Sequence, residues 1–383
     1  MKPKSIIFGE EYTSSTNDKR FDVKVVSDVA GLNIPKPTLK RKNVGRKIAS
    51  ILKKSKEKYA AMLSNECEIP LRQSQIKVEE CINFSRKAQD VYSRKENYWK
   101  IRSINLIPKG RVLLSASGTD PLEGVMNALV PALYTGNQVV VKPSRRKPKT
   151  VYKLISDILE KIPPLKNDLH LLFTKNKTLE KLIKQKIFDM VYWTGGEKST
   201  KLIRSYCAYS NTEFLWDGPG ADLLYLDSSW TNLTAIKKMI DKTLQDLNGT
   251  NCNRIQYILF QENPNIRKLF EKYEEIHIKK TKPNKVMELE PKEIHAFTVK
   301  NLDEAIAFQN SSPYGLGFTV YGNYTRKTFT KKTVLASRIN INKDPLDVSY
   351  FDPWGGIKLS GSNGVEDWIL KFSSMQKVVS NEE

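Results

Sequence analysis

The sequence predicts an α/β protein whose parallel sheets are covered by helices on both faces. Two observations predict it. Beyond Pro108-Lys109-Gly110, short apolar or β-branched runs alternate with helical stretches of about 10–15 residues, the texture of β-α-β units. Apolar residues make up 39% of the 383 and charged residues 27%, which is too apolar for a disordered chain despite a mean hydropathy of −0.47. At roughly 150 residues per domain, the length suggests two or three domains.

In order, the pattern reads as a strand over 111–116, a helix over 121–133, a β-branched strand over 138–142, a helix over 150–161 and a strand over 169–174. A helix over 179–186, a strand over 189–193, a helix over 197–209, a strand over 221–226 and a helix over 231–247 complete a first α/β domain. A smaller second one follows, with strands over 254–260, 294–299 and 317–321, a helix over 303–309 and an apolar segment at 335–341 that runs into a glycine-rich loop. Upstream, 44–98 is helical: Ile48, Ile51, Leu52, Tyr59, Met62 and Leu63 recur at helical spacing, as do Val78, Cys81, Ile82 and Phe84, with Pro70 as the break. The segment before it reads as a loosely tied lead-in, with turn formers at 13–18 and prolines at 35 and 37. The expected divisions are 1–43, 44–247, 248–365 and a terminal strand and tail over 366–383.

The formal net charge is +21, and such an excess attracts nucleic acid, membrane surfaces or phosphate-bearing small molecules. Its densest stretch, 38–58, carries nine Lys and Arg residues against Glu57, with Val44, Ile48, Ile51 and Leu52 at helical spacing. It reads as an amphipathic helix with a solvated basic face. No nucleic-acid-binding motif accompanies it, so nucleic acid is not the expected partner. No apolar run approaches the ~20 residues of a membrane span, and Ser5-Ile6-Ile7-Phe8 is short for a secretory leader. Cys67, Cys81, Cys207 and Cys252 lack Cys-x-x-Cys spacing, and His170, His277 and His295 are scattered. Neither a disulfide framework nor a metal site is expected, and a reducing cytoplasm is the expected setting.

Sheets of this kind bind ligands beyond the carboxyl ends of their strands, which points to the loops after Ala116, Lys142, Trp193 and Leu226. Separately, Gly249-Thr250-Asn251-Cys252 lies between a predicted helix and the strand at 254–260. A thiol on such a turn is a nucleophile if nearby positive charge depresses its pKa. The other reading of a cysteine is a small buried apolar residue, and it suits Cys67, Cys81 and Cys207 on their helices.

Five motifs run in one consistent order between Arg46 and Val379. A helix from Leu122 and a strand end in Lys142-Pro143-Ser144; Trp193-Thr194-Gly195-Gly196 and Gly249-x-x-Cys252 follow. Next come 301–310 with Tyr314-Gly315-Leu316, and finally Pro353-Trp354-Gly355-Gly356-Ile357-Lys358-Leu359-Ser360-Gly361. Together they resemble the aldehyde dehydrogenase superfamily, with its Lys-Pro-Ser, Phe-Thr-Gly-Ser, Gly-x-x-Cys, Tyr-Gly-Leu and Pro-Phe-Gly-Gly-x-Lys-x-Ser-Gly motifs. The resemblance implies a Rossmann-type parallel-sheet cofactor domain over 44–247, a smaller α/β catalytic domain over 248–365, and a terminal segment that joins a second copy in a homodimer. It also implies an NAD(P)-dependent oxidoreductase. Cys252 would carry a thioacyl group, with its own N–H and Thr119 as oxyanion donors. Lys142 and Ser144 would contact the cofactor's adenosine ribose, Gly195 and Gly196 would open a helix end beside the pyrophosphate, and Glu288 would be the family's ribose-holding Glu.

Three departures from the family pattern shape the expected substrate. The first loop reads Ser117-Gly118-Thr119-Asp120-Pro121, where hydrolytic members place an oxyanion-binding Asn before the Pro. An ionised Asp120 cannot do that work, and Thr-Asp-Pro is closer to the Thr-Asn-Pro of coenzyme-A-acylating members. Counting back from 223–226 puts Trp216 where hydrolytic members keep the Glu that activates water, leaving Glu213 as the nearest base. The interval from Cys252 to Glu288 is much shorter than ordinary members use, and Glu288-Leu289-Glu290-Pro291 is out of register with Glu-x-Phe-Gly-Pro.

Without a general base, transfer to or from a thiol is favoured over hydrolysis. The expected reaction is reduction of an acyl thioester, CoA- or carrier-bound, to an aldehyde. A conventional aldehyde-oxidising dehydrogenase using Glu213, and a catalytically degenerate binding or scaffold subunit, are the alternatives. Arg145-Arg146-Lys147 follows Ser144, where many NAD-using members have a Glu. A guanidinium forks onto phosphate, so NADP(H) is the preferred cofactor expected, with NAD(H) as the alternative and a solvated surface as the other reading of these charges.

Overall fold

The computed structural model describes residues 4–7, 9–13, 43–362 and 364–379. The chain divides into two compact units: one comprises residues up to Trp216 together with those from Asp367 onward, and the other is Asp217–Glu366.

The first unit opens with β1 (Lys4–Ile7) and β2 (Glu10–Thr13), then α1 (Val44–Lys54), α2 (Lys56–Cys67) and α3 (Leu71–Lys100). Next come β3 (Ile104–Pro108), β4 (Arg111–Ser115), α4 (Pro121–Tyr134), β5 (Gln138–Lys142) and α5 (Lys149–Lys161). It continues through β6 (Leu169–Leu171), α6 (Asn176–Lys184), β7 (Met190–Thr194), α7 (Glu197–Ser210) and β8 (Glu213–Asp217). Seven of these strands form one sheet in the order β2-β1-β6-β5-β4-β7-β8. In its parallel centre Leu113 lies opposite both Val140 and Val191. β4 and β5 are buried along their whole length, as continuous apolar runs must be when helices cover both faces. On one face Leu179, Leu182 and Ile183 of α6 and Ile203 and Cys207 of α7 pack against Leu113, Val140 and Val191.

Two expectations need correction here. Part of the lead-in is built into the sheet: β1 lies between β2 and β6, where Ile6 pairs with Leu171, and Ile6 and Ile7 are buried. The remainder of that segment, 1–3, 8 and 14–42, lies outside the described residues, and with it 38–42 of the basic stretch. The rest of the basic stretch is not one helix. α1 stops at Ser55 (φ −123°) and α2 restarts beyond it. Val44, Ile48, Ala49 and Leu52 of α1 are buried while Arg46, Lys47, Lys53 and Lys54 are exposed, the amphipathic division expected.

The second unit runs β9 (Asp222–Leu226), α8 (Leu233–Gln245), β10 (Ile255–Phe260), α9 (Pro264–Phe270), β11 (Ile276–Ile278) and β12 (Ile294–Thr298). It continues with α10 (Leu302–Ser311), β13 (Tyr314–Gly315), β14 (Gly317–Tyr321), α11 (Arg326–Thr330), β15 (Arg338–Ile341) and β16 (Ile357–Lys358). Its main sheet is parallel, in the order β11-β12-β10-β9-β14-β15, with a separate apolar cluster on each face. The strand expected at 221–226 therefore does not close the first sheet. β9 lies inside the second, between β10 and β14, and the division of the chain falls after Trp216 rather than after Leu247. A run such as Leu223-Leu224-Tyr225-Leu226 suits the interior of either sheet; its periodicity specifies a strand but not its neighbours.

α12 (Trp368–Lys371) and β17 (Ser373–Lys377) return to the first unit. β17 pairs antiparallel with β3 of its own chain, and Asn137 Nδ2 donates to the Phe372 carbonyl at 2.8 Å. Trp368, Ile369 and Phe372 are buried there. Among the described residues no helix is long and apolar enough to cross a membrane, and no group of three or more His, Cys, Asp or Glu is placed to hold a metal ion.

Candidate active site

In the first unit, three of the four expected loops meet beyond the carboxyl ends of the adjacent strands β5, β4 and β7. Lys142 ends β5, buried, with its Nζ over the Trp193 ring at 5.4 Å from the centroid. No carboxylate among the described residues pairs with it. Burial, assisted by the charge of Arg145, pushes its ammonium down to about 8. A Cβ on Gly118 would stand 3.1 Å from Ser144 Oγ, so the loop after β4 lies against the loop after β5. Arg145 and Arg146 are exposed, and neither pairs with a carboxylate among the described residues.

Gly195 and Gly196 lead into α7. Gly196 occupies its N-cap; among the described residues no side chain caps that end, and a Cβ on Gly196 would meet nothing within 4 Å. A Cβ on Gly195 would stand 2.7 Å from Trp193 Nε1, which keeps that position small.

In the loop after β4, Thr119 is exposed and its hydroxyl lies 2.7 Å from Ser117 Oγ. Asp120 turns inward. Its carboxylate accepts from the Glu123 N–H at 3.0 Å, capping α4, and lies 3.1 Å from Lys77 Nζ.

Glu213 is not with this group. It opens β8, where its N–H donates to the Asp189 carbonyl at the amino end of the sheet, and its carboxylate pairs with Lys109 at 2.9 Å. Lys142 and Gly195 lie at the opposite, carboxyl end. Spacing along the chain put Glu213 near the base position; strand direction carried it to the other edge.

In the second unit, Cys252 sits on a tight turn between α8 and β10. Leu247, Asn248 and Gly249 all have positive φ (48°, 54° and 70°), and Thr250 Oγ1 donates to the Leu247 carbonyl at 2.6 Å. A Cβ on Gly249 would stand 2.7 Å from the Lys292 nitrogen, which is why this first position of Gly-x-x-Cys takes glycine. Cys252 is half-buried, whereas Cys67, Cys81 and Cys207 are buried. Burial pushes the Cys67 and Cys207 thiols up to about 12 and Cys81 well above its ordinary value.

Glu288 lies on the loop before β12, which three side chains of the Cys252 turn and β10 hold. Arg254 donates to the carbonyls of Leu289, Glu290 and Glu293 at 2.7, 2.9 and 3.0 Å. Gln256 accepts from the Leu289 N–H at 2.7 Å and donates to the Gly220 carbonyl at 2.6 Å, and Tyr257 Oη donates to the Met287 carbonyl at 2.8 Å. The turn carrying Cys252 and the loop carrying Glu288 are thus one hydrogen-bonded construction. Sequence reasoning missed Arg254 and Gln256, and also Asp222 and Arg338, which begin β9 and β15. Their available signal was a polar residue at the mouth of an otherwise apolar strand.

The sequence pattern of the aldehyde dehydrogenase family matches residues 35–288 and 294–379. A lactaldehyde dehydrogenase from Methanococcus vannielii is 27% identical over 234 residues, 58% of this chain and 49% of that protein. A gamma-glutamyl phosphate reductase from Brachyspira hyodysenteriae is 29% identical over 135 residues, 34% of this chain and 30% of that one. The chain thus spans about half the length, or less, of these curated relatives. In fold it is similar to an NAD-dependent aldehyde dehydrogenase from Sinorhizobium meliloti, at TM-score 0.85 and 16% identity, covering 100% of this chain and 95% of that one. It is also similar to the glyceraldehyde-3-phosphate dehydrogenase GapN from Methanocaldococcus jannaschii solved with NADP, at TM-score 0.76 and 19% identity, with 98% of each chain covered. With the family pattern matched over most of its length, the chain belongs to the aldehyde dehydrogenase family.

Proposed function

We propose that this protein is an NAD(P)-dependent oxidoreductase that reduces an acyl thioester, CoA- or carrier-bound, to an aldehyde through a thioacyl group on Cys252. One observation carries the reading: of four cysteines, only the one on the Gly-x-x-Cys turn is not buried. As thiolate, Cys252 Sγ adds to the acyl carbon; the Sγ–C bond forms, the carrier's C–S bond breaks, and the carrier leaves as a thiol after taking a proton. The Cys252 N–H is the proposed donor to the developing oxyanion. Asp120 is occupied in its cap and ion pair and takes no part.

The first unit's residues fit a dinucleotide. Lys142 is a buried cation with no carboxylate partner among the described residues, beside Ser144 and the uncapped helix start at Gly195-Gly196. Glu288 is the proposed carboxylate for a ribose. When bound, the nicotinamide supplies a hydride to, or accepts one from, the carbon held on Cys252. Arg145 and Arg146, exposed and without a carboxylate partner among the described residues, support a preference for NADP(H) over NAD(H).

With Glu213 tied to Lys109 at the far end of its sheet, the reading leaves it out of the chemistry and favours thiol transfer over hydrolysis. Self-association as a cytoplasmic homodimer through the ribbon of β3 and β17 belongs to the same reading, supported by the exposed Ile107, Met375, Val378 and Val379.

Intact-protein mass spectrometry after exposure to acyl-CoA thioesters tests the function. The expected result is one acyl adduct on Cys252, absent in C252A, that NADPH discharges with release of aldehyde. Rapid loss of the adduct to water would favour a conventional aldehyde-oxidising dehydrogenase. No adduct from any donor and no nucleotide binding would leave a non-catalytic binding subunit.

A further inference from the structure

We propose that Arg338 is the receptor for an anionic group, carboxylate or phosphate, carried by the molecule that reacts at Cys252. The inference rests on the reading of Cys252 as the nucleophile, and every group in it belongs to the second unit.

Arg338 begins β15, opposite Gly317 of β14. Its guanidinium carbon lies 4.6 Å from the centroid of the Trp354 ring. The side chain is half-buried, yet among the described residues its guanidinium donates no hydrogen bond and no carboxylate approaches to ion-pair distance. A guanidinium carries five N–H donors, and leaving them unmade in a partly desolvated place is costly. Contact with an aromatic ring fixes such a group while leaving N–H edges for a two-pronged partner.

The charges around Arg338 do not neutralise it by contact. Asp222 and Asp352 both act on it from beyond ion-pair range. Asp222 Oδ1 is taken by the Gly317 N–H at 2.9 Å, while its Oδ2 is buried with no hydrogen-bond partner among the described residues. Burial pushes that carboxyl up to about 7, so its negative charge is only partly developed near neutrality.

The place is next to the nucleophile. The Arg338 N–H donates to the Leu316 carbonyl at 3.2 Å, and a Cβ on Gly220 would meet both Leu316 Cδ2 at 3.0 Å and the Cys252 carbonyl oxygen at 1.9 Å. A thiolate at Cys252 would lie within range of the Arg338 charge. A bidentate oxyanion on Arg338 would hold a substrate with its reacting carbon at the thiol.

The test compares alkylation of Cys252 by iodoacetate, which carries a carboxylate, with alkylation by iodoacetamide, which is neutral, in the full chain. In the wild type the iodoacetate-to-iodoacetamide rate ratio should exceed that of R338Q at least ~10-fold, with R338K between them. Inorganic phosphate should protect Cys252 from iodoacetate in the wild type and not in R338Q. Circular dichroism identifies any variant that has not folded. Equal ratios in wild type and R338Q, or both reagents slowed alike, would overturn the proposal; the second result would mean that Arg338 acts on the thiolate alone.

Because alkylation needs no nucleotide or turnover, charge selectivity without activity on any aldehyde would sink the dehydrogenase reading and leave this site standing. Turnover without charge selectivity would do the reverse. Aldehydes ending in carboxylate or phosphate, each against a neutral analogue of equal length, then separate the two sources by which KM rises ~100-fold in R338Q.

Discussion

Gly220 lies so close to Cys252 that a β-carbon on it would stand 1.9 Å from the Cys252 carbonyl oxygen, a contact between backbones that no side-chain rotation relieves. The Gly220 carbonyl in turn accepts from Gln256, which also holds the Glu288 loop. G220A must therefore displace the turn that carries the thiol. We expect it to cost about 3 kcal/mol, measured by urea unfolding, and to change the iodoacetamide reactivity of Cys252 relative to the wild type.

Lys142 should make nucleotide affinity depend on pH. Its ammonium titrates near 8 because it is buried, below its ordinary 10.5. A ligand held by the charged form is bound well below pH 8 and progressively less well above it, up to roughly tenfold per pH unit. Fluorescence titration with NADPH from pH 7 to 10 should show that slope in the wild type and a flat, weak profile in K142M. The fold itself responds in the opposite sense. A lowered cation pKa costs stability as pH falls from 10.5 towards 8, so K142M should be the more stable protein at pH 7.

Asp222 titrates near 7 instead of 3.8, because burial opposes its ionisation more than Arg338 assists it. A carboxyl raised in the folded state contributes stability that is complete below about 4 and is lost as pH rises through about 7. D222N cannot ionise and should lack this loss. The wild-type decline in unfolding free energy between pH 4 and pH 8 should exceed that of D222N by on the order of 2–4 kcal/mol, read from urea unfolding at each pH.

Arg145 and Arg146 should discriminate between cofactors. R145A/R146A is expected to weaken NADPH at least ~10-fold and to change NADH by no more than about twofold. Parallel titrations check it, and equal effects on the two nucleotides would count against a 2′-phosphate contact.

Much of this molecule was legible because local rules act locally. Continuous apolar runs placed β4, β5, β7 and β10, since burial on both faces demands such runs wherever they sit. The glycines at 195, 196 and 249 marked places where backbone or open helix ends come close to something else. Cys252 stood out by its turn and not by its chemistry, and the exposure that separates it from Cys67, Cys81 and Cys207 appeared only when the helices packed.

Glu213 shows where such rules stop. It is a short distance in sequence from the expected base position, and the direction of β8 takes it to the end of the sheet opposite Lys142. Asp120, read as a defect beside an oxyanion site, is a helix cap paired with Lys77, and Lys77 is a residue that no motif connects to it.

The sequence by itself determined the α/β class, the order of the elements, the family and the turn that presents the thiol. All of these follow from periodicity and from short motifs whose residues are neighbours in the chain. Only the tertiary structure decided that β9 joins the second sheet, that Arg254 and Gln256 tie the Glu288 loop to the Cys252 turn, and that Arg338 rests on Trp354 beside Asp222. The reason is physical. Apolar strands are interchangeable until their hydrogen-bonding neighbours are chosen, and a polar side chain has no electrostatic meaning until packing fixes its partners and its distance from water.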